Sequence, residues 1–246
     1  MSSDYEKLLE LAKKRRSIRR YKPDPIPDGD VEKIIEVARW AMSGANGQPW
    51  EFVVVKDANM RAKIYDIYKK HRRFVDVMER TRIEDIRQPI TGALDEGFPL
   101  FKDAPVVIVI CGDPRSLQAT VLAAQIVGAE RETFHMNMAN ATTMVHLAAA
   151  SLGLGTQWVT TTVHFEQGLK ELLGIPQIYK VPQIVPVGYP DYAPHGAWRK
   201  KVADLVHNEK YDLARYRSDE DVVADIVALR KRMKGNYRPP SETGKA

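Results

Sequence analysis

The chain has 246 residues, 44% of them hydrophobic and 28% charged. That length can bury a sizeable core as one large domain or two small ones, and that composition excludes a disordered chain. The net charge of +5 favours anionic ligands, but 37 Lys and Arg against 32 Asp and Glu make a mixed surface, which argues weakly against a dedicated nucleic-acid binder.

In chain order, residues 4–14 read as a helix with Leu8, Leu9, Leu11 and Ala12 as its apolar set. It runs into the basic cluster Arg15-Arg16-Ser17-Ile18-Arg19. Arginine forks and a serine hydroxyl suit a phosphate, although a solvated basic helix end would carry the same residues. The prolines at 23, 25 and 27 demand extended chain. Asp28 reads as the N-cap of a helix reaching about Met42, with Val31, Ile34, Ile35, Ala38 and Met42 on one face. Residues 43–49 (Ser-Gly-Ala-Asn-Gly-Gln-Pro) read as a loop, Phe52–Val55 as a short buried strand, and 58–90 as a charged helical stretch with little apolar periodicity. A loop-rich connector, 92–105, leads to a second strand, Val106–Cys111.

Cys111 is the single cysteine, which excludes an intrachain disulfide and any cysteine-cluster metal site and fits a reducing compartment. Its apolar surroundings suggest a structural thiol rather than a nucleophile. Residues 116–129 and 133–152 read as helices. The second is rich in alanine and is expected at the centre of the fold, ended by Gly153 as a C-cap glycine. Thr156–Thr162 reads as a β-branched strand, Phe165–Leu173 as a helix stopped by Gly174 and Pro176, and Gln183–Gly188 as the last core strand. A loop, 189–198, ends in a second basic cluster, Trp198-Arg199-Lys200-Lys201, about 180 residues after the first, and a charged tail follows from Asn208. Strands interleaved with helices indicate an α/β or α+β sandwich.

The six histidines show neither HxxxH nor HExxH spacing, so no metal site is expected. GxSxG, Walker and GxGxxG motifs are absent, and Gly153-Leu154-Gly155 follows a helix instead of preceding one. No signal-peptide core or membrane-length apolar window occurs, which gives the expectation of a soluble, cytoplasmic protein with no membrane partner. What remains is two distant basic clusters, a small polar loop and a threonine-rich strand end.

Taken in order, these pieces resemble the nitroreductase family of flavin enzymes over roughly residues 10–207. The match comprises residues 15–21 (Arg-Arg-Ser-Ile-Arg-Arg-Tyr), 43–50, 151–155, the Thr160–Thr162 run, Pro186-Val187-Gly188-Tyr189-Pro190, and Arg199-Lys200. The resemblance implies an FMN-binding α+β sandwich, a central, mostly antiparallel sheet flanked by helices, assembled as an intertwined homodimer. Residues 1–207 would form the FMN-binding domain, and 208–246 a charged extension packing on the partner.

Carried over by position, the resemblance implies that Arg15, Ser17 and Arg199 bind the FMN phosphate with Arg16 beside them. Arg19 would reach the pyrimidine edge. Ser43, Gly44, Asn46 and Asn137 would come from the other subunit. Thr161 and Thr162 would approach N5, Thr162 being favoured as a hydroxyl donor. Val159–Thr162 and the Pro-Val-Gly-Tyr-Pro ending are most similar to the iodotyrosine deiodinase branch, but that branch's substrate-clamping Glu, Tyr and Lys find no match in 61–87. Where classical members carry a second basic phosphate ligand, this chain has Ala197.

Residues 61–87 hold nine Lys or Arg against five Asp or Glu. As a lid they would favour an anionic or electron-poor substrate; a solvated amphipathic helix is the other reading. The leading expectation is an oxidoreductase in which NAD(P)H and a nitroaromatic, quinone or enone alternate in a ping-pong scheme. Reductive dehalogenation or flavin cleavage is the enzymatic alternative, and a flavin- or anion-binding protein without turnover is the alternative of another class.

Overall fold

The computed structural model describes residues 3–84, 101–116, 130–194 and 197–234. The helices expected over 116–129 and beyond 84 therefore lie largely outside the described residues. Two compact units emerge, one of residues 1–72 with 98–194 and one of 73–97 with 195–246.

The first unit is built on a five-stranded, wholly antiparallel sheet. Its order is β1 (Trp50–Val55), β2 (Val106–Gly112), β5 (Lys180–Gly188), β3 (Gly155–Thr156), with β4 (Val159–Thr160) also paired to β5. Strand β2 is buried on both faces, and its alternation divides the core. Val106, Ile108 and Ile110 join α2 (Asp28–Ala38) and α4 (Glu130–Ser151), whereas Val107, Val109 and Cys111 join α3 (Ala58–Arg80) and α5 (Val163–Leu173). The result is a helix–sheet–helix sandwich, as the nitroreductase resemblance implied.

Helix α4 is central. Met138, Ala141, Val145 and Ala149 are fully buried on it, and their small average size lets it lie close to the sheet. Gly153 ends it at φ 76°, and Gly174 ends α5 at φ 68°, both in the left-handed region where glycine is favoured. Helix α1 (Asp4–Lys14) carries the capping box Ser3/Glu6 but buries none of its own residues.

Three expectations need correction. Helix α2 has Pro27, not Asp28, at its N-cap and stops at Ala38, leaving Met42 outside the helix and 78% exposed. Proline sets the φ that starts the helix, and Asp28 instead pairs with Lys56 at 2.6 Å. The Arg39 fork closes on Glu36 with two 2.6 Å bonds, and the amides of Trp40 and Ala41 bond three residues back, tightening the last turn as the helix ends. Thr156–Thr162 is not one strand. The chain keeps one register against β5, but Gln157 and Thr161 donate to the carbonyls of Pro186 and Pro182, which have no N–H to return. Those two prolines split the strand into β3 and β4 and end it before Thr161. Finally, α3 does carry an apolar face: Ile64, Tyr65 and Tyr68 are buried against Phe101 and Phe165.

In the second unit, short helical turns at Val202–Asp204 and Leu213–Arg215 precede α6 (Asp219–Lys234). Arg215 ties the segment together by donating to the carbonyls of Val206 and Ala203. Among the described residues no helix is long and apolar enough to cross a membrane.

Candidate functional site

The chain leaving α1 is sewn onto the sheet edge. Ser17 pairs with Thr156 in a parallel bridge, and Ile18 N donates to Thr156 O at 2.8 Å. Ile18 is buried directly over Gly155, where a Cβ would stand 2.5 Å from Ile18 Cγ1. Glycine at 155 is therefore what lets the basic segment approach. Tyr21 locks the same segment: its phenol donates to Ile18 O at 2.6 Å, its backbone pairs with Pro190, and its ring covers Gly188. Burial pushes the Tyr21 phenol well up, with Tyr192 adding to the shift and Arg19 opposing it.

This seam holds Arg15 and Arg16, both half-buried, beside Gly153, Gly155 and Thr156 around a cavity of about 140 Å³. Thr156, 2% exposed, is hydrogen-bonded at 2.6 Å to Nδ1 of His146 on α4. The His146 ring stacks on Trp158, and its buried Nε2 has no partner among the described residues. Burial, reinforced by Arg15, lowers its pKa to about 4, so the imidazole is neutral near pH 7.

The polar loop forms a second cluster. Gly44 N donates to Asn137 Oδ1 at 3.2 Å and Gln48 N to Ser43 Oγ at 3.1 Å, while Ala45, Asn46 and Gln48 take positive φ. Asn140 braces the loop through Met42 O. Asn137 is buried, and its Nδ2 has no partner among the described residues. Gln157 Oε1 is likewise buried and unpaired.

The threonines part company. The Thr161 hydroxyl is bonded to Val181 O. Thr162 is the N-cap residue of α5 but makes no capping bond; its hydroxyl lies 3.0 Å from His71 Nδ1 on α3. Arg19 is half-buried, and its charge is felt at both Tyr21 and Tyr68. Arg199 is exposed in the second unit and donates to Trp198 O. Cys111 is 2% exposed with its thiol pushed up to about 11 by burial and Glu51, which suits a structural role.

Sequence reasoning missed His146 and His71, neither of which sits in a motif, and the pairing of β5 prolines against 157–161. His146 could have been suspected only from its place on the alanine-rich helix, where a polar ring needs a partner.

The model of the family described as "Nitroreductase family" matches residues 12–189. The chain belongs to this family. An Archaeoglobus fulgidus protein provisionally named NADH dehydrogenase/NAD(P)H nitroreductase is 29% identical over 212 residues, covering 84% of this chain and 99% of that protein. The iodotyrosine deiodinase of Thermotoga neapolitana is 31% identical over 192 residues, covering 75% of this chain and 89% of its own length. Among solved structures, oxidized iodotyrosine deiodinase bound to FMN and 3-iodo-L-tyrosine is similar with a TM-score of 0.59 and 26% identity, over 83% of this chain and all of that one. This nitroreductase-family chain thus shares its sheet and flanking helices with enzymes of redox chemistry.

Proposed function

We propose that this chain is an FMN-dependent oxidoreductase that uses NAD(P)H to reduce a small electron-poor acceptor such as a nitroaromatic, quinone or enone. The observation that carries the reading is the basic seam, in which Arg15 and Arg16 border a cavity floored by side-chain-free Gly153 and Gly155 and by Thr156. The seam suits a phosphate, and the unpaired Asn137 Nδ2 and Gln157 Oε1 offer a buried donor and acceptor that a polar ring would satisfy.

Bound FMN supplies one- and two-electron chemistry that side chains lack. The protein's own contributions are binding and orientation. Arg15 and Ser17, with Arg199, hold the phosphate, and Arg16 adds to the local field. Arg19 sets a cation at the pyrimidine edge, where negative charge develops on reduction. Ser43, Gly44, Asn46 and Asn137 of a second copy close the ring from the other side. Thr161 spends its hydroxyl on Val181 O, so Thr162 is the better candidate to offer a proton at N5; its hydroxyl donates whenever His71 donates to it. One opening then serves NAD(P)H and the acceptor in turn.

Exposed apolar residues support a homodimer: Tyr5 and Leu8 on α1, and Leu205, Leu213 and Tyr216 in the second unit, are all more than half exposed in the single chain. A second reading, reductive dehalogenation, is favoured by the 31% identity to a deiodinase. Steady-state kinetics against nitroaromatic, quinone, enone and halophenol acceptors test the proposal. Parallel double-reciprocal lines with a nitro or quinone acceptor support it. Turnover confined to halophenols moves the assignment to dehalogenation, and no turnover with any acceptor refutes enzymatic reduction.

A further inference from the structure

One basic residue, Arg72, takes no part in the phosphate and ring contacts. On α3, Arg72 follows His71 and lies one turn beyond Tyr68. Among the described residues, the buried Arg72 Nε has no hydrogen-bond partner. Its guanidinium acts electrostatically on His71 and Tyr68; Arg19 acts on the same Tyr68, and His164 on His71. His71 in turn stacks on Phe165 and bonds the Thr162 hydroxyl at 3.0 Å. Arg72, His71 and His164 therefore gather near the start of α5, where the Thr162 hydroxyl meets His71. The first amides of α5 add to this field, because Thr162 does not cap them.

A desolvated guanidinium N–H without an acceptor is costly, and the side of the fork formed by Nε and one terminal nitrogen matches a carboxylate. The cavity of the phosphate seam is lined by different residues, among them Arg15, Arg16, Gly153, Gly155 and Thr156. We propose that Arg72, supported by His71, is the receptor for a carboxylate on the acceptor, so that the substrate of this enzyme is an anionic, carboxylate-bearing aromatic or enone. This rests on the reading that Thr162 faces the reacting ring. It gives the basic character of α3 a specific anchor instead of a general field.

The test compares 4-nitrobenzoate with neutral 4-nitrobenzamide in the wild type, Arg72→Gln, Arg72→Lys and the exposed-charge control Lys70→Gln. The wild type is expected to favour the acid in kcat/KM by about tenfold, the scale of one charge-assisted bond. Arg72→Gln is expected to abolish the preference by raising KM for the acid alone. Arg72→Lys should keep part of it, and Lys70→Gln nearly all. Calorimetric titration of the protein with benzoate gives a readout that needs no turnover and is done with and without FMN. Saturable binding lost in Arg72→Gln supports the receptor even if the redox assignment fails. Equal kcat/KM for acid and amide, an equal loss in Lys70→Gln, or a change confined to NADPH over NADH would each overturn it, while FMN binding and NAD(P)H oxidation would leave the redox assignment standing.

Discussion

His146 shows how much the seam depends on a single ring. It is 5% exposed, neutral, and bonded to the threonine that floors the cavity. Its folded pKa of about 4 lies below the ordinary 6.5, so between those values the unfolded chain binds more protons. Stability is then complete above about pH 6.5 and falls as pH drops toward 4, by about 3 kcal/mol at most from this group. Urea unfolding of His146→Gln should show a shallower acid loss than wild type over that interval; parallel curves would mean that His146 titrates normally. Arg199 lies at the opposite electrostatic extreme, exposed and in the second unit. If it shares the FMN phosphate with Arg15, Arg199→Ala should weaken FMN at least about tenfold in a fluorescence titration, since charge-assisted bonds contribute about 1.5–3 kcal/mol each. Unchanged affinity would remove it from the site.

At the scale of elements, the close pass of Ile18 over Gly155 joins the N-terminal segment to the sheet. Gly155→Ala forces a Cβ into a buried β-branched side chain and should cost about 1–3 kcal/mol, with FMN affinity falling in step. A denaturation midpoint equal to wild type would show that the segment has room to yield. Helices were legible in the sequence where apolar sets and glycines spoke for them: α1 spans the 4–14 read from its leucines, and α4 and α5 end at Gly153 and Gly174. The 156–162 strand was not, because its breaks belong to Pro186 and Pro182 of the partner strand, which only the register brings opposite Gln157 and Thr161. The site was legible as far as its motifs went. Arg15, Arg16 and Ser17 do meet the residues after Gly153, and Gly44 does meet Asn137. His71 and Arg72 gave no signal beyond a run of basic residues, since their meaning depends on α3 crossing to the start of α5.

For the whole molecule, the proposed site draws on two copies of the chain. The partner's copies of Ser43–Asn46 and Asn137 would close the ring site, and the charged extension 208–246 would pack on the neighbour. Sedimentation should therefore give a homodimer at micromolar concentration, and a monomer with a full complement of FMN would contradict that assembly. The central claim, that this chain is an FMN oxidoreductase, meets its most direct test in anaerobic spectroscopy of the purified, FMN-supplemented protein mixed with NADH or NADPH. One tightly held FMN per chain and loss of the oxidised flavin spectrum with at least one nicotinamide are expected. A protein that takes up no FMN, or holds it unchanged by either donor, would contradict it.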